Sequence, residues 1–394
     1  MANQNDAVVI VGYARTPIGN FQGCLSSLSA PDLGAVAIKS AVSRAGVSAD
    51  SIDEVLMGCV LTAGLGQAPA RQAALAAGLP VSVTTTTVNK MCGSGMQAIM
   101  LGHDLIKAGS ANIIVAGGME SMSNAPYLLP KARQGLKIGH AELMDHMFVD
   151  GLEDSNNKRL MGSYAEECAE KFQFDREMQD DFAKQSFLRA RMAIKVGSFE
   201  HEIAPITIQS RNEDIIVTED EHPLSVDLNR ISKLRPVFKA DGTVTAANSS
   251  SISDGAAALV LMSEEMAEYY HLKPLARIVA HQSFAQEPSW FTTAPIFATE
   301  KLLEKLSLGV ADIDLFEINE AFAVVAMAAS QSLEIASNKM NVHGGACALG
   351  HPIGASGARI IVTLLSALQK RGLKRGLASL CVGGGEATAL VIET

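Results

Sequence analysis

Three short glycine-rich stretches of the chain carry side chains that can act as a nucleophile or a base. The first spans residues 89–96 (NKMCGSGM) and places Cys92 after an apolar run and before a predicted helix. Backbone N–H groups and the helix dipole at such a turn stabilise a thiolate, so we expect Cys92 to be reactive, with a pKa below the usual value. The alternative is a small buried core residue, which is the usual environment of a free cysteine.

The second stretch, residues 344–357 (GGACALGHPIGASG), contains His351. A histidine set among glycines and a proline packs poorly in a core, and its ring is free to face a cleft. An imidazole with its usual pKa of about 6.5 can take a thiol proton at neutral pH. We therefore expect His351 to be a general base, the alternative being a hydrogen-bonded structural histidine. Cys347, in the same stretch, is expected only to pack.

The third stretch, residues 381–386 (CVGGGE), places Cys381 at the end of a predicted strand, before three glycines. Glycines leave backbone N–H groups unshielded, and such donors suit an oxyanion hole. Asn319 also interrupts an apolar strand-to-helix junction, where the alternative is a helix cap. Together the three stretches supply a nucleophile, a base and glycine-rich backbone.

The elements that must position these side chains occur twice along the chain. Residues 47–55 and 308–316 share one pattern of apolar and acidic positions. Residues 88–118 and 342–385 both lead through a glycine-rich turn and a helical stretch to a strand that ends in glycines. Strands that alternate with Ala-rich helices predict parallel βαβ units, with helices covering the sheet. We predict an α/β protein of two similar halves whose equivalent turns meet at one face.

A different segment separates the halves. The predicted first half covers residues 1–120 and is completed by residues 244–272, and the second half covers residues 273–394. Residues 121–243 between them are rich in charged side chains and include a predicted helical stretch over residues 163–195. We interpret them as an inserted, solvated domain over the site. The alternative is a surface decoration without a catalytic role.

Composition excludes several other classes of protein. The net charge of −10 over 394 residues argues against nucleic-acid binding, although a local basic patch is enough for a small polyanion. No apolar run approaches the roughly 18–20 residues that cross a bilayer, so we expect no membrane association. The first six residues have no basic region typical of a signal peptide, and the following apolar run at residues 8–11 is predicted to be a strand. Six cysteines in such a chain indicate reduced intracellular thiols.

Metal and nucleotide motifs are missing from the sequence. It contains no CxxC and no HExxH, and His140 and His146 have no metal-ligand spacing, so we expect no metal site. No GxGxxG opens a helix and GxxxxGK[ST] does not occur, which disfavours a Rossmann dehydrogenase and a P-loop enzyme.

Five stretches of the chain resemble the signature blocks of the thiolase family: those around Cys92, Asn319, His351 and Cys381, and residues 117–123 (GGMESMS). The match extends in order from Val8 to near the C-terminus, and it is most similar to the acetyl-CoA acetyltransferase branch. The resemblance implies the thiolase fold, in which two βαβαβαββ halves form a five-layered α/β core with an inserted loop domain. It implies an acyltransferase that cleaves or condenses short 3-ketoacyl-CoA such as acetoacetyl-CoA.

The resemblance also implies how the enzyme is used. Acyl-CoA would be its small-molecule partner and substrate, with no bound cofactor and no metal. The protein would be a cytoplasmic homotetramer of fatty acid metabolism, without nucleic-acid or membrane partners.

Roles for individual residues come from the same resemblance. Cys92 would be the acylated nucleophile, His351 the base that activates it, and Cys381 the acid/base that moves the α-proton of the substrate. Asn319 would hold a water that, with His351, stabilises the enolate or thioester oxygen. The backbone N–H groups of Cys92 and Gly383 would form a second oxyanion hole. The substrate itself would contact six residues, of which the first four follow the pantetheine arm and the last two lie near the acyl group: Met161, Phe238, Ala246, Ser250, Ala321 and Phe322.

Two departures from the family pattern concern the substrate. Many acetyltransferases have His-Met-Gly where this chain has Leu160-Met161-Gly162, which replaces a polar contact near the thioester by an apolar one. Residues 221–223 (EHP) lack the basic residue often found near the nucleotide of coenzyme A. The alternatives are a degradative 3-ketoacyl-CoA thiolase for longer chains and an inactive thiolase-like scaffold subunit. A ketoacyl synthase is disfavoured, because that class typically uses two histidines and one cysteine.

Overall fold

The described part of the protein is built on one mixed ten-stranded β-sheet, and two further sheets have two strands each. The computed structural model describes residues 7–209 and 213–394, so the first six residues lie outside the described part. Its strands are β1 (Val8–Arg15), β2 (Gly19–Asn20), β3 (Glu54–Gly58), β4 (Thr84–Val88), β5 (Ile113–Ser121), β6 (Tyr127–Leu128), β7 (Met144–Asp145), β8 (Ile206–Ile208), β9 (Ile215–Val217), β10 (Ser253–Ser263), β11 (Ala276–Ala285), β12 (Leu315–Ile318), β13 (Arg375–Val382) and β14 (Glu386–Glu393). The predicted strand at residues 8–11 is thus the start of β1.

Helices pack against both faces of this sheet. They are α1 (Ala30–Ala45), α2 (Pro69–Ala76), α3 (Ser94–Lys107), α4 (Met161–Phe172), α5 (Arg176–Lys195), α6 (His222–Ser225), α7 (Glu264–Tyr269), α8 (Ala294–Leu306), α9 (Ala323–Ser332), α10 (Ala346–Leu349) and α11 (Ile353–Arg371). None of the helices in the described ranges is both long and apolar enough to cross a bilayer.

The strand order repeats on the two sides of the central β1–β11 pair. The order is β12-β13-β14-β11-β1-β10-β5-β3-β4, with β2 beside β10. Outward from β1 the neighbours are β10, β5 and β3, and outward from β11 they are β14, β13 and β12. The repeated sequence pattern falls on this symmetry, because residues 49–51 and 310–312 each form a 3₁₀ turn that leads into β3 and β12, respectively.

The protein has five layers: outer helices, the first half of the sheet, central helices, the second half of the sheet, and outer helices. Helices α3 and α11 form the central layer. They pack against each other, and α11 contacts β5 and β10 of the first half as well as β12 and β13 of the second. The outer layers are α1 and α2 on one side and α8 and α9 on the other. Separate apolar clusters fill the outer face of each half and the central layer. The predicted α/β thiolase fold with its layered core is confirmed.

The segment between β5 and β10 departs from the sequence-based expectation at one point. The helical stretch expected over residues 163–195 is two helices, because Gln173 ends α4 in the left-handed region (φ 57°). Asp175 then caps α5 by accepting a hydrogen bond from the Met178 N–H at 2.8 Å. The domain boundaries proposed at residues 120, 243 and 272 stay a prediction.

A buried ion-pair cluster ties this segment to the sheet. Arg15 of β1 is fully buried and bonds Glu202 at 2.6 Å and Asp220 at 2.7 Å. The same Asp220 carboxylate accepts the Ile18 N–H at 2.9 Å. Because a buried charge is strongly destabilising without its partner, this cluster fixes where the segment lies over the core.

Candidate active site

Cys92 lies in the turn between β4 and α3. The Ser94 hydroxyl shapes this turn, since it accepts the Lys90 N–H at 2.8 Å and donates to the Met91 carbonyl at 2.6 Å. Gly93 brings the turn close to the end of β13, because a Cβ at Gly93 would lie 2.8 Å from Cγ2 of Val382. Cys92 keeps partial exposure at this place.

His351 lies between α10 and α11, with its backbone N–H bonded to the Ser251 carbonyl at 3.0 Å. Its Nδ1 atom is 2.6 Å from Oγ of Ser356, and that hydroxyl donates to the Pro352 carbonyl at 2.9 Å. Since the hydroxyl has one hydrogen, Nδ1 carries the ring proton and donates to Ser356. Nε2 is therefore the basic nitrogen, and it is buried without a protein partner.

The crossing of α3 and α11 brings these two turns together. A Cβ on Gly95 would lie 2.8 Å from the Ala358 nitrogen, and a Cβ on Gly357 would overlap the Met96 nitrogen. Only glycine at both positions lets the two helices approach this closely. Because α3 starts two residues after Cys92 and α11 two residues after His351, the close crossing places both residues at one cavity.

Cys381 lies beneath the cavity, near the end of β13. It is fully buried, and the following turn needs glycine at Gly384 (φ 94°) and Gly385 (φ 90°) before the chain returns as β14. Burial, and then the neighbouring Cys92 thiolate charge, raise the pKa of the Cys381 thiol well above its usual value. The two sulfur groups are thus close enough to interact electrostatically.

The pKa of Cys92 corrects one expectation from the sequence. Burial raises the pKa of Cys92 to about 11, although the N–H groups of Gly383 and of Cys92 itself hydrogen-bond the thiolate and act in the opposite direction. The prediction of a lowered pKa was wrong, because desolvation outweighs the donors of the turn. Cys92 is therefore a neutral thiol at pH 7, which needs a base.

The environment of His351 keeps its ring neutral. Burial, and then the positive charge of Arg359, lower the pKa of His351 to about 3. The imidazole is therefore neutral at pH 7 and can accept a proton at Nε2. At pH 7 the Cys92 thiol and the His351 imidazole are thus both neutral.

Asn319 lies deep beside the same elements. Its backbone N–H bonds the Ser379 carbonyl of β13 at 3.0 Å, and its Oδ1 accepts from Arg359 at 3.4 Å. Its Nδ2 is buried without a partner. Asn319 does not cap a helix, since α9 begins at Ala323. An orphaned amide donor is costly, so this group is available for a ligand or a water.

One cavity of about 650 Å³ collects most of the predicted site. Its lining includes Cys92, His351 and Gly383, and all six residues expected to contact the substrate: Met161, Phe238, Ala246, Ser250, Ala321 and Phe322. The volume suits a ligand of moderate size, and the lining is mainly apolar. Cys381 and Asn319 do not line the cavity and lie behind its wall.

Aromatic contacts shape the cavity wall to which the inserted segment contributes Gly162 and Phe238. The rings of Phe238 and Phe322 meet edge to face with centroids 6.0 Å apart. A Cβ on Gly162 would overlap the Phe238 ring, so this ring can occupy its place only above a glycine. The Ser250 N–H bonds the Ala321 carbonyl at 3.0 Å, which joins the two loops of the wall.

The structure adds residues that the sequence did not single out. Phe148, Leu152 and Phe291 extend the apolar lining, which also includes Leu160, already singled out from the sequence. In the sequence, Ser356 was only one residue of a glycine-rich stretch. Its hydrogen bond to His351 forms because α11 begins at Ile353 and brings the two side chains together. Glu120, within the recognised 117–123 block, is fully buried and accepts three backbone N–H bonds, one of them from Gly354 beside the His351 loop.

This layered fold, with Cys92 and His351 at one cavity and Cys381 buried behind its wall, is that of a thiolase. The family model "Thiolase, N-terminal domain" matches residues 8–265, and "Thiolase, C-terminal domain" matches residues 272–394. The chain belongs to the thiolase family and is an enzyme of the acyltransferase class.

Curated relatives cover nearly the whole chain. "Acetyl-CoA acetyltransferase 2" of Arabidopsis thaliana is 53% identical over 389 residues, covering 98% of this chain and 96% of that protein. "Acetyl-CoA acetyltransferase" of Saccharomyces cerevisiae is 48% identical over 392 residues, with 98% of each chain covered.

Solved structures agree with this assignment. The Acat5 thiolase from Ascaris suum in complex with coenzyme A has a TM-score of 0.93 at 43% identity, with 98% of this chain and 100% of that chain covered. The Bacillus anthracis acetyl-CoA acetyltransferase has a TM-score of 0.96 at 43% identity, with 98% of both chains covered.

Proposed function

We propose that this protein is an acetyl-CoA C-acetyltransferase, which reversibly joins two acetyl-CoA molecules into acetoacetyl-CoA and coenzyme A through an acyl-cysteine. The observation that carries the proposal is that Cys92 shares a cavity with the unpartnered Nε2 of His351, while the Gly383 N–H reaches the Cys92 sulfur. The proposal is also supported by near-full-length similarity to proteins named acetyl-CoA acetyltransferase.

The first half-reaction moves the acetyl group to Cys92. As its sulfur attacks the thioester carbonyl, the thiol proton passes to Nε2 of His351, so that no free thiolate has to exist at rest. Cys381 donates its proton to the departing coenzyme A sulfur and is left as a thiolate. Backbone N–H groups at Cys92 and Gly383 stabilise the negative oxygen of the tetrahedral intermediate.

The second half-reaction forms the carbon–carbon bond. The Cys381 thiolate takes an α-proton from a second acetyl-CoA, and the enolate oxygen is stabilised by His351 with a water held by the Nδ2 of Asn319. The enolate carbon attacks the acyl-enzyme and the carbon–sulfur bond to Cys92 breaks. The Cys92 sulfur recovers its proton from His351, so all three groups return to their starting state.

Coenzyme A thioesters are substrates in this scheme, and no cofactor or metal takes part. The pantetheine arm would follow Met161, Phe238, Ala246 and Ser250, which all line the cavity, with Ala321 and Phe322 toward the acyl end. A mainly apolar lining suits the arm and the short acyl chain, because burial of apolar surface supplies most of their binding free energy.

The apolar lining also supports a second candidate, a degradative thiolase for longer 3-ketoacyl chains. Leu160 stands with Phe148 and Leu152 in the cavity lining, without a polar group on these three side chains. The two candidates share every catalytic residue and differ only in how much acyl chain they accept.

A chain-length series tests the proposal. We expect kcat/KM for thiolysis to be highest for acetoacetyl-CoA and to fall with 3-ketohexanoyl-CoA and 3-ketooctanoyl-CoA. A maximum at the longer substrates would support the degradative candidate. Absence of turnover together with absence of an acetylated Cys92 in mass spectra would indicate the inactive scaffold subunit.

We also propose that the protein works as a homotetramer. The part of the chain around the β6–β7 hairpin exposes several large apolar side chains, and such surfaces mark association sites: Tyr127, Leu129, Leu136, Ile138 and Leu143. Light scattering should give four times the 41.5 kDa chain mass. Ile138→Ser with Leu143→Ser should lower that mass, whereas Tyr269→Ser, at an exposed apolar side chain far along the sequence from the hairpin, should not. A wild-type monomer would contradict the proposal.

A cytoplasmic location in fatty acid metabolism completes the proposal. All six cysteines are free, including two that are partly exposed, as is typical of a reducing compartment. A fluorescent fusion of the full chain that enters an organelle would contradict it.

A further inference from the structure

We propose that His103, Asp104 and His281 form a binding site for a zinc-like transition-metal ion, which bridges the two halves of the fold away from the catalytic cavity. Within residues 7–209 and 213–394 these side chains are the group whose ligand atoms lie within 4.8 Å of one another. The function described above neither uses nor needs them.

The spacing of the three ligand atoms fits a tetrahedral ion. Oδ1 of Asp104 is 2.9 Å from Nδ1 of His103 and 2.9 Å from Nε2 of His281, and the two nitrogens are 3.3 Å apart. A zinc ion with bonds of about 2.0–2.1 Å keeps its ligand atoms about 3.3 Å from each other. The distances between the three ligand atoms need to change by only a few tenths of an ångström for these atoms to form three corners of the tetrahedron around such an ion.

The three candidate ligand atoms face one another. Nδ1 of His103 and Nε2 of His281 each lie 2.9 Å from the same Asp104 oxygen and 3.3 Å from each other, and each neutral ring presents either an N–H or a lone pair there, according to its tautomer. An ion binds here if each ring carries its proton on its other nitrogen. The lone pairs of His103 Nδ1 and His281 Nε2 then face the metal, and no net proton is released.

The two histidines are mostly buried and the aspartate is exposed, a combination that suits a metal site. The side chains of His103 and His281 are only 14% and 16% exposed, and their rings meet edge to face, so the nitrogens are held in place. The Asp104 side chain is 59% exposed, which leaves the fourth position open to water and gives the ion a path from solvent.

The donor set selects the class of metal. Two imidazole nitrogens and one carboxylate oxygen suit Zn²⁺ and the neighbouring divalent transition metals, whereas Mg²⁺ and Ca²⁺ prefer oxygen ligands alone. Lys305, whose Nζ is 3.4 Å from the His281 carbonyl, adds a positive charge near the site. We therefore expect moderate affinity rather than the tight binding of a four-ligand structural site.

The site joins elements of both halves. His103 and Asp104 belong to α3 of the first half, whereas His281 belongs to β11 of the second. The first residue of α3 is next to the Cys92 turn. With a helical rise of about 1.5 Å per residue, His103 lies about 14 Å further along this helix. An ion there would stabilise the packing of the halves and leave the chemistry at Cys92 unchanged. The sequence offered no motif because 177 residues separate Asp104 from His281.

Titration of the chelator-treated full-length enzyme tests the site. Calorimetry with Zn²⁺ should give one ion per chain, with turnover unchanged on binding. His281→Gln should abolish this binding and Asp104→Asn should weaken it about tenfold or more, whereas the exposed His201→Gln serves as the matched control and should bind like wild type. If His281→Gln lowers turnover, and so has not kept its fold, the exposed Asp104→Asn decides.

Co²⁺ distinguishes this site from the cysteines. Bound at nitrogen and oxygen ligands, Co²⁺ should give weak visible bands without a strong thiolate charge-transfer band. Wild-type enzyme that binds no Zn²⁺, unchanged binding in both His281→Gln and Asp104→Asn, or a thiolate band that accounts for all bound Co²⁺ would each overturn the proposal.

Discussion

Nδ1 of His351 lies 2.6 Å from Oγ of Ser356, whose hydroxyl is committed to the Pro352 carbonyl. This bond decides which nitrogen of the imidazole is basic. It places the proton on Nδ1 and leaves the lone pair of Nε2, which has no protein partner, for the substrate side. Ser356 is thus a positioning residue for His351, the proposed base.

Ser356→Ala should therefore lower kcat about 10- to 100-fold, because the wrong tautomer of His351 becomes populated. Nitrogen NMR of the ring should show a mixture of tautomers in the variant and a single Nδ1–H form in wild type. Ser366→Ala is the control, since Ser366 is a buried serine of the same helix that does not line the cavity. Equal kcat and a single tautomer in Ser356→Ala would contradict this role.

Alkylation of Cys92 should report its raised pKa. With a pKa of about 11, the thiolate fraction grows about tenfold per pH unit, so the rate with iodoacetamide should rise in that proportion from pH 6 to pH 10. Peptide mass spectrometry should find Cys92 modified before Cys24, the other partly exposed thiol, whose pKa burial and Glu221 raise to about 12. Acetyl-CoA should protect Cys92. A rate plateau below pH 8 would instead indicate a thiolate–imidazolium pair at rest.

Substitutions of the two cysteines should block different steps of the reaction. Cys381→Ala should still be acetylated on Cys92, because coenzyme A thiolate is a good leaving group even without a proton donor. It should fail to condense a second acetyl-CoA and to exchange α-protons with heavy water. Cys92→Ala should show no acyl-enzyme at all. Near-normal condensation by Cys381→Ala would mean that Cys381 only fills the end of β13.

Leu160 should influence acyl preference from its place in the cavity lining. Leu160→His should raise the ratio of kcat/KM for acetoacetyl-CoA to that for 3-ketohexanoyl-CoA, because a polar group replaces part of the apolar wall. One contact at a pocket edge is worth about 1–3 kcal/mol at most, so the change should not exceed roughly 100-fold. Leu160→Met keeps the wall apolar and serves as the control. An unchanged ratio in the histidine variant would show that this position does not contact the acyl chain.

Glu120 should matter for stability and for the shape of the histidine loop. Its carboxylate accepts the N–H groups of Val60, Leu61 and Gly354 at 2.8–3.1 Å. Glu120→Gln must turn an NH₂ group toward at least one of these donors, so the variant should lose about 1–3 kcal/mol of unfolding free energy. Its thermal midpoint should fall, whereas that of the exposed Glu300→Gln should stay. Equal midpoints would show that the buried carboxylate is dispensable.

The sequence by itself determined the chemistry-bearing turns and the doubled architecture. Glycines beside Cys92, His351 and Cys381 announce turns, and alternating strands and helices predict a layered α/β core, because these signals are local. The thiolase assignment followed from the same stretches and was confirmed by family models over residues 8–265 and 272–394. The catalytic and substrate-binding roles stay predictions, although the cavity gathers most of the residues concerned.

Only the tertiary structure decided the pKa values, the tautomer and the neighbours of those residues. The pKa of Cys92 was expected to be low from its turn, but it is raised by desolvation, which depends on everything packed around the sulfur. The tautomer of His351 depends on where α11 places Ser356. The triangle of His103, Asp104 and His281 joins residues 177 positions apart, through the packing of α3 against the sheet. Burial, tautomers and converging ligands are set by distances across the fold, and a local pattern of residues does not contain those distances.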